Sequence, residues 1–181
     1  MIFSVGHSNV SADAFFAILA PHDVQVLADV RAFAGSRRHP HFGRDALAAS
    51  CAARGLTYRW MPELGGRRRA GDAASPHVGW QVDAFRHYAD YMDTPAFAEA
   101  LAALEAEARR LPTAFMCAEA LWWQCHRRLI ADRLLVAGWE VRHAGAGGRV
   151  SAHRLPDFAR VVDGRIVYDR LVDQPLRFPQ R

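Results

Sequence analysis

Thr113-Ala114-Phe115-Met116-Cys117-Ala118-Glu119, followed by Leu121-Trp122-Trp123-Gln124-Cys125-His126-Arg127-Arg128, is the stretch whose reading decides the fold. It reads as a short buried strand, a compact turn, and a helix running to about Ala137. Two thiols, a carboxylate, an imidazole and two guanidinium groups fall where a strand hands over to a helix. In an open α/β sheet that is where a site is usually built.

Working outward, Ile2 to Val5 reads as a buried strand, with Ser11 as N-cap of a helix that Pro21 stops. Val24 to Arg31 is a second strand with little alternation, as expected of a strand covered on both faces. A helix from about Arg44 to Arg54 closes at Gly55, and Leu56 to Trp60 is a third strand turning through Met61 to Gly66. The stretch from Arg67 to Trp80 is rich in Arg, Gly, Ala, Ser and Pro without periodicity, and is expected to be a mobile loop over the site. Two helical patterns follow, the second starting at Thr94-Pro95 and ending at Pro112. Beyond the central helix, Gly138 caps, Trp139 to His143 is another strand, and Gly145 to Gly148 is expected to be flexible. Asp163-Gly164 between β-prone runs predicts a hairpin. The expected fold is α/β: a three-layer, open, parallel or mostly parallel sheet with helices on both faces and a short C-terminal β-hairpin. One domain is expected over 1–181, with a core over 1–143 and a C-terminal extension over 144–181.

Three cysteines at irregular spacing make no disulfide framework, so a reducing, cytoplasmic setting is expected. The N-terminus shows no basic region and no long apolar run, so neither a leader nor a membrane span is expected. The net charge is +4, the pI about 9.4, and every basic residue is arginine. A GC-rich coding sequence explains that as simply as function does. Clustering is more telling, because Arg37-Arg38, Arg67-Arg68-Arg69 and Arg127-Arg128 all follow candidate strand ends.

Right-handed crossovers would gather the strand carboxyl ends along one sheet edge. That edge carries His7 and Ser8, then Asp29 and Arg31, then Glu63, Gly65 and Gly66, then Cys117 and Glu119. The catalytic candidates are Cys117, Glu119, His126, His7 and Glu63, with Cys117 as nucleophile or thiol donor. The substrate-binding candidates are Arg31, Arg127, Gly65, Gly66, Ser8, Asp29 and Cys125. Asp29 could equally pair with Arg31, and Gly65-Gly66 could simply turn the chain. Cys51, on an alanine-rich helix, reads as inert packing. No cofactor is firmly implied. A metal ion at Cys117, Cys125 and His126, with His7 brought in, is the competing reading of the same groups, although adjacent Cys125 and His126 would point apart on a helix. Trp122 and Trp123 could stack a base, or pack into the core.

These residues in this order resemble an uncharacterised bacterial family, domain of unknown function 488. The resemblance is carried by Gly6-His7-Ser8, Asp29-Val30-Arg31, Pro62-Glu63-Leu64-Gly65-Gly66, Tyr88 to Met92, and Cys117-x-Glu119 with Cys125-His126-Arg127. It implies a fold and a motif order, and no settled activity. A second resemblance, to rhodanese-like domains, lies in the Asp-Val-Arg strand end and the cysteine closing a later strand. The chain departs from that pattern in the longer insert containing Cys125. The expected function is an enzyme, a hydrolase or transferase, acting on an anionic substrate such as a nucleotide, a nucleic-acid component or another phosphate-bearing molecule. The alternatives are a non-catalytic nucleic-acid binding module using the arginine clusters, and a metalloprotein with Cys and His ligands.

Overall fold

A computed structural model describes residues 1–35, 38–69, 71 and 74–170. Arg37 of the first arginine cluster lies outside the described residues. Eight strands and five α-helices are described: β1 (Ile2–Gly6), α1 (Ala12–Leu19), β2 (Val26–Asp29), α2 (Arg44–Ala52), β3 (Thr57–Trp60), α3 (Asp83–Met92), α4 (Pro95–Arg110), β4 (Thr113–Cys117), α5 (Arg127–Val136), β5 (Val141–Gly145), β6 (Arg149–Ala152), β7 (Arg160–Val162) and β8 (Arg165–Val167). Six strands form one sheet in the order β3-β2-β4-β1-β5-β6, parallel except for β6. β7 and β8 make the predicted separate hairpin, with Asp163 and Gly164 both at positive φ as a tight turn of that kind requires.

β4 is buried along its whole length, and its side chains alternate between two cores. Ala114 and Met116 face the core that Phe15, Phe16 and Leu19 of α1 share with Leu47 and Cys51 of α2. Phe115 and Cys117 face the core made with α3, α4 and α5. This is the three-layer arrangement: each residue of a central strand loses solvent on one face or the other. Ser11 caps α1 by accepting from Ala14 N at 3.2 Å, and Thr94 caps α4 by accepting from Phe97 N at 3.3 Å. Gly55 and Gly138 take positive φ just past α2 and α5.

Two segments differ from expectation. Gly145 to Gly148 is the ordered turn of a β5–β6 hairpin, with Gly147 and Gly148 supplying the positive φ. The loop from Arg67 to Trp80 is anchored at its far end: Trp80 is fully buried against Phe85, Phe158 and Tyr168, and His77 is buried beside Tyr168. Its apolar anchor was a single tryptophan, too little for a periodic pattern to register. Ala70, Asp72 and Ala73 of that loop lie outside the described residues.

The stretch beyond residue 143 joins the main core through Phe158, Ala159, Ile166 and Tyr168, and also through one buried carboxylate. Asp132 of α5 accepts from His153 Nε2 at 2.7 Å on Oδ1 and from the Tyr168 hydroxyl at 2.7 Å on Oδ2. The other ring nitrogen of His153, Nδ1, meets His143 Nε2 at 3.0 Å. Both histidines and Asp132 are buried. On the opposite side of the sheet, His7 is stacked on Phe42 with ring centres 4.0 Å apart.

Burial holds His7 down at about 4 and His143 down at about 2, against about 6.5 for a free histidine. Unfolded chains therefore bind protons that the folded protein refuses. Stability falls as pH drops below about 6.5, by up to about 1.4 kcal/mol per pH unit for each histidine. His7 ceases to contribute below its folded value of about 4. Urea unfolding at pH 6.5 and at pH 5 is expected to show that loss; equal unfolding free energies would contradict it.

Candidate functional site

The parallel register sets the β4 carboxyl end beside those of β1 and β2, with Cys117 opposite Gly6 and Met116 opposite Asp29. Between β1 and β4 the crevice is closed by backbone: His7 N donates to Cys117 O at 3.1 Å and Ser8 N to Ala118 O at 2.8 Å. A Cβ on Gly6 would lie 1.9 Å from Glu119 O, so glycine is required for this approach. The open space lies instead towards β2 and β3, a cavity of about 380 Å³ lined by residues that include Arg31, Arg67, Cys117, Glu119, Cys125 and His126.

Cys125, His126 and Cys117 cluster on its wall, with the two Sγ atoms and a ring nitrogen of His126 all within 4.8 Å of one another. Cys125 precedes α5 in extended backbone, φ −128° and ψ 150°, so it and His126 do not diverge as neighbours on a helix would. Cys125 Sγ lies 3.5 Å from His126 Nδ1. His126 Nε2 lies 3.1 Å from the Val30 carbonyl, which can only accept; Nε2 therefore carries a proton, and neutral His126 turns the lone pair of Nδ1 to the thiol. Gly66 packs on this ring, and a Cβ there would lie 2.4 Å from Nδ1. Gly65 likewise meets the Ala32 backbone, so the Gly-Gly pair is explained by close approach.

The two thiols divide their titration. Cys117 is pushed up, first by its hydrogen bond to Cys125 and then by burial. Cys125 is pulled well below its usual range by that same bond, with His126 and Arg127 adding to the effect against its own desolvation. The bond between them favours a negative charge on Cys125 over one on Cys117, with the Cys117 S–H as its donor. The start of α5 favours an anion at the same place. Cys51, by contrast, is buried in apolar surroundings and pushed up to about 11.

Several other sequence candidates are held in structural contacts. Asp29 and Arg31 form a buried two-pronged ion pair at 2.8 and 2.6 Å, and Asp29 also accepts from Tyr58. Arg31 donates further to Phe42 O at 2.8 Å and towards His7 Nε2 at 3.3 Å, while His7 Nδ1 donates to Ser8 O at 2.7 Å. With both ring nitrogens engaged, His7 stands outside the thiol cluster and braces Arg31. Arg127 is buried and donates to Ser4 Oγ and to the carbonyls of Glu119 and Ala120, which shapes the loop after β4. Glu63 is exposed outside the cavity lining; its carbonyl accepts from Tyr91 and Arg68. Ser8 lines a different cavity.

Arg67 is the binding candidate that sequence reasoning left inside a loop. It is exposed at the cavity, and among the described residues its guanidinium meets only the Phe33 ring, 5.5 Å away. Its place in the run Arg67-Arg68-Arg69 was visible, but nothing in the sequence separates it from Arg68, which lies over Tyr91 and donates to Gly65 O.

A family model described as "Domain of unknown function DUF488" matches residues 11–134. The chain belongs to the DUF488 family. The DUF488 match spans Asp29 to Arg31, Glu63 to Gly66 and the whole Cys117 to Arg127 segment, and leaves Gly6-His7-Ser8 outside it. It supports the first of the two resemblances and is silent on the rhodanese-like one. Curated proteins and solved structures give no match. Among the described residues of this DUF488 chain, no helix is long and apolar enough to cross a membrane.

Gly66→Ala tests the site geometry without touching a reactive group. The added methyl displaces the His126 ring, and iodoacetamide labelling of Cys125 is expected to slow about tenfold at neutral pH, for the loss of roughly 1.4 kcal/mol of ion-pair stabilisation. Unchanged labelling, with the fold checked by circular dichroism, would contradict the assignment.

Proposed function

We propose that the cavity is the active site of a thiol-dependent hydrolase or transferase acting on a small anionic, phosphate-bearing substrate, with Cys125 as nucleophile. The observation that carries this reading is the Cys125 Sγ–His126 Nδ1 approach, with His126 Nε2 held by the Val30 carbonyl. Sequence reasoning favoured Cys117 for the attack. The opposed shifts of the two thiols favour Cys125, and give Cys117 the role of hydrogen-bond donor to the thiolate once it forms.

The chemistry follows from the pairing. Cys125 transfers its proton to His126 Nδ1, leaving a thiolate beside an imidazolium whose other N–H stays on Val30 O. The thiolate attacks the electrophilic centre; the bond to the leaving group breaks, and that group takes the proton from His126. Water then attacks the covalent adduct, gives a proton back to His126 and releases Cys125. Arg67 holds the anion at the mouth, and Glu119, exposed on the cavity wall, orients the water. Arg31, largely committed to Asp29, lends positive charge to the floor.

Acetyl phosphate is a direct probe, since attack at its carbonyl leaves an acetyl thioester and inorganic phosphate. A thioester on Cys125, trapped by acid quench and mapped by mass spectrometry, is the expected result. It should vanish in Cys125→Ser and persist in Cys117→Ser, which keeps a hydroxyl donor. An adduct on Cys117, or none on any cysteine, would overturn the reading.

A second reading is favoured by the donor set itself. Two thiols and an imidazole whose far nitrogen is fixed by a carbonyl fit a soft divalent ion such as zinc, with Cys117 Sγ, Cys125 Sγ and His126 Nδ1 as its ligands. Bound there, such an ion would supply a Lewis acid beside the cavity. Elemental analysis of untagged protein separates the two: one equivalent of metal, lost in Cys125→Ser, would replace the nucleophile with a metal centre. The nucleic-acid module finds less support, because many arginines are already paired, Arg54 with Asp13, Arg59 with Glu107, Arg86 with Asp83, Arg109 with Glu105 and Arg142 with Glu140.

A further inference from the structure

The segment after β4 has two sides. Ala118 and Glu119 line the thiol cavity, whereas Ala120 to Trp123 line a second cavity of about 560 Å³, closed on its far side by the β5–β6 hairpin. Its size is that of small-molecule sites. Trp122 and Trp123 stand at 90° with ring centres 5.6 Å apart, so a flat ring stacked on one meets the edge of the other. Val10, Ile18, Leu121 and Val150 supply apolar walls.

Among the described residues, one buried side-chain polar atom of this lining has no hydrogen bond. His143 is 4% exposed, and its Nδ1 is buried without a hydrogen bond. The chain of contacts behind it sets what Nδ1 offers. Asp132 accepts from His153 Nε2, which leaves His153 Nδ1 as an acceptor, and that atom takes the proton of His143 Nε2. A neutral His143 then keeps a bare lone pair on Nδ1. An unanswered buried acceptor is costly, and a ligand that donates to it recovers the loss. Trp122 lies parallel to the His143 ring at 3.9 Å and holds it in place.

We infer that this cavity is a second binding site, for a nucleobase-type heteroaromatic ring that stacks on Trp123, beside Trp122, and donates an amino or ring N–H to His143 Nδ1. An aliphatic ligand would waste the perpendicular aromatic walls, and a ring with acceptors alone would face a lone pair. The inference stands apart from the thiol chemistry: it needs neither Cys125 nor His126.

The test is calorimetric titration of the full chain with 9-methyladenine, which has an amino donor, and 9-methylpurine, which has none. The amino compound is expected to bind about tenfold tighter, the ratio that one hydrogen bond to a buried acceptor sustains. In His143→Phe, which keeps a flat ring beside Trp122, the two are expected to bind within about twofold of each other. Nitrogen NMR of wild-type protein with labelled histidine gives a readout that needs no variant: the His143 Nδ1 resonance should move with 9-methyladenine and stay with 9-methylpurine. Failure of 9-methyladenine to bind, equal affinities in wild type, a preference that survives in His143→Phe, or an unmoved Nδ1 resonance would each overturn the inference. Labelling of Cys125 is independent of all four outcomes, so failure here leaves the thiol reading standing.

Discussion

The hydrogen bond from His126 Nε2 to the Val30 carbonyl ties the start of α5 to the end of β2, and the candidate site is arranged about it. Val30 O is available because β2 has already passed its last paired residue, Asp29, while Val30 N still donates to Met116 O at 3.0 Å. The carbonyl therefore has a fixed position and a free direction, outward over the sheet edge. Fixing Nε2 fixes Nδ1, and Nδ1 then falls beside two thiols that reach it from β4 and from the turn before α5. Gly66 completes the setting by leaving room for the ring. Cys117, Cys125 and His126 come from one stretch of chain, and the sheet brings Val30 and Gly66 to them.

The distribution of charge follows a similar economy. The buried and half-buried arginines around the site serve mainly the architecture. Arg31 is held by Asp29, Arg127 shapes the loop after β4, and Arg128 lies over Trp80 at 4.9 Å. Such groups satisfy carbonyls and carboxylates that would otherwise be stranded away from water. Among the described residues that line the cavity, Arg67 is the exposed arginine, beside two buried cysteines. On the proposed reading, that arrangement suits a single anionic group more than an extended polyanion, whose binding draws on many phosphate contacts.

Most of the fold was legible in the sequence because its signals are local. The apolar run Thr113 to Cys117, the caps at Ser11 and Thr94, and the Asp163-Gly164 turn each declare an element without help from distant residues. β6 was missed because Arg149–Ala152 is exposed and carries no apolar face. Trp80 was read as loop because its burial depends on Phe158 and Tyr168, which follow much later in the chain. The site was legible as a set of residues and not as a set of roles. Sequence identifies Cys117, Cys125 and His126 as neighbours, but whether an imidazole nitrogen meets one sulfur or the other depends on the extended backbone at Cys125 and on a carbonyl from another strand. Asp29 and Arg31 show the same limit: two residues apart on a strand end, they pair with each other as readily as they would bind a substrate.

The measurement that tests the central claim most directly is the ultraviolet absorbance of the thiolate against pH, in protein carrying Cys51→Ala and Cys117→Ser so that only Cys125 titrates. The account predicts a midpoint clearly below the ~8.5 of a free cysteine, rising when His126→Gln removes the base. A midpoint at or above the free value, unchanged by His126→Gln, would mean that Cys125 is a buried thiol like Cys51 and that the pairing with His126 has no chemical consequence.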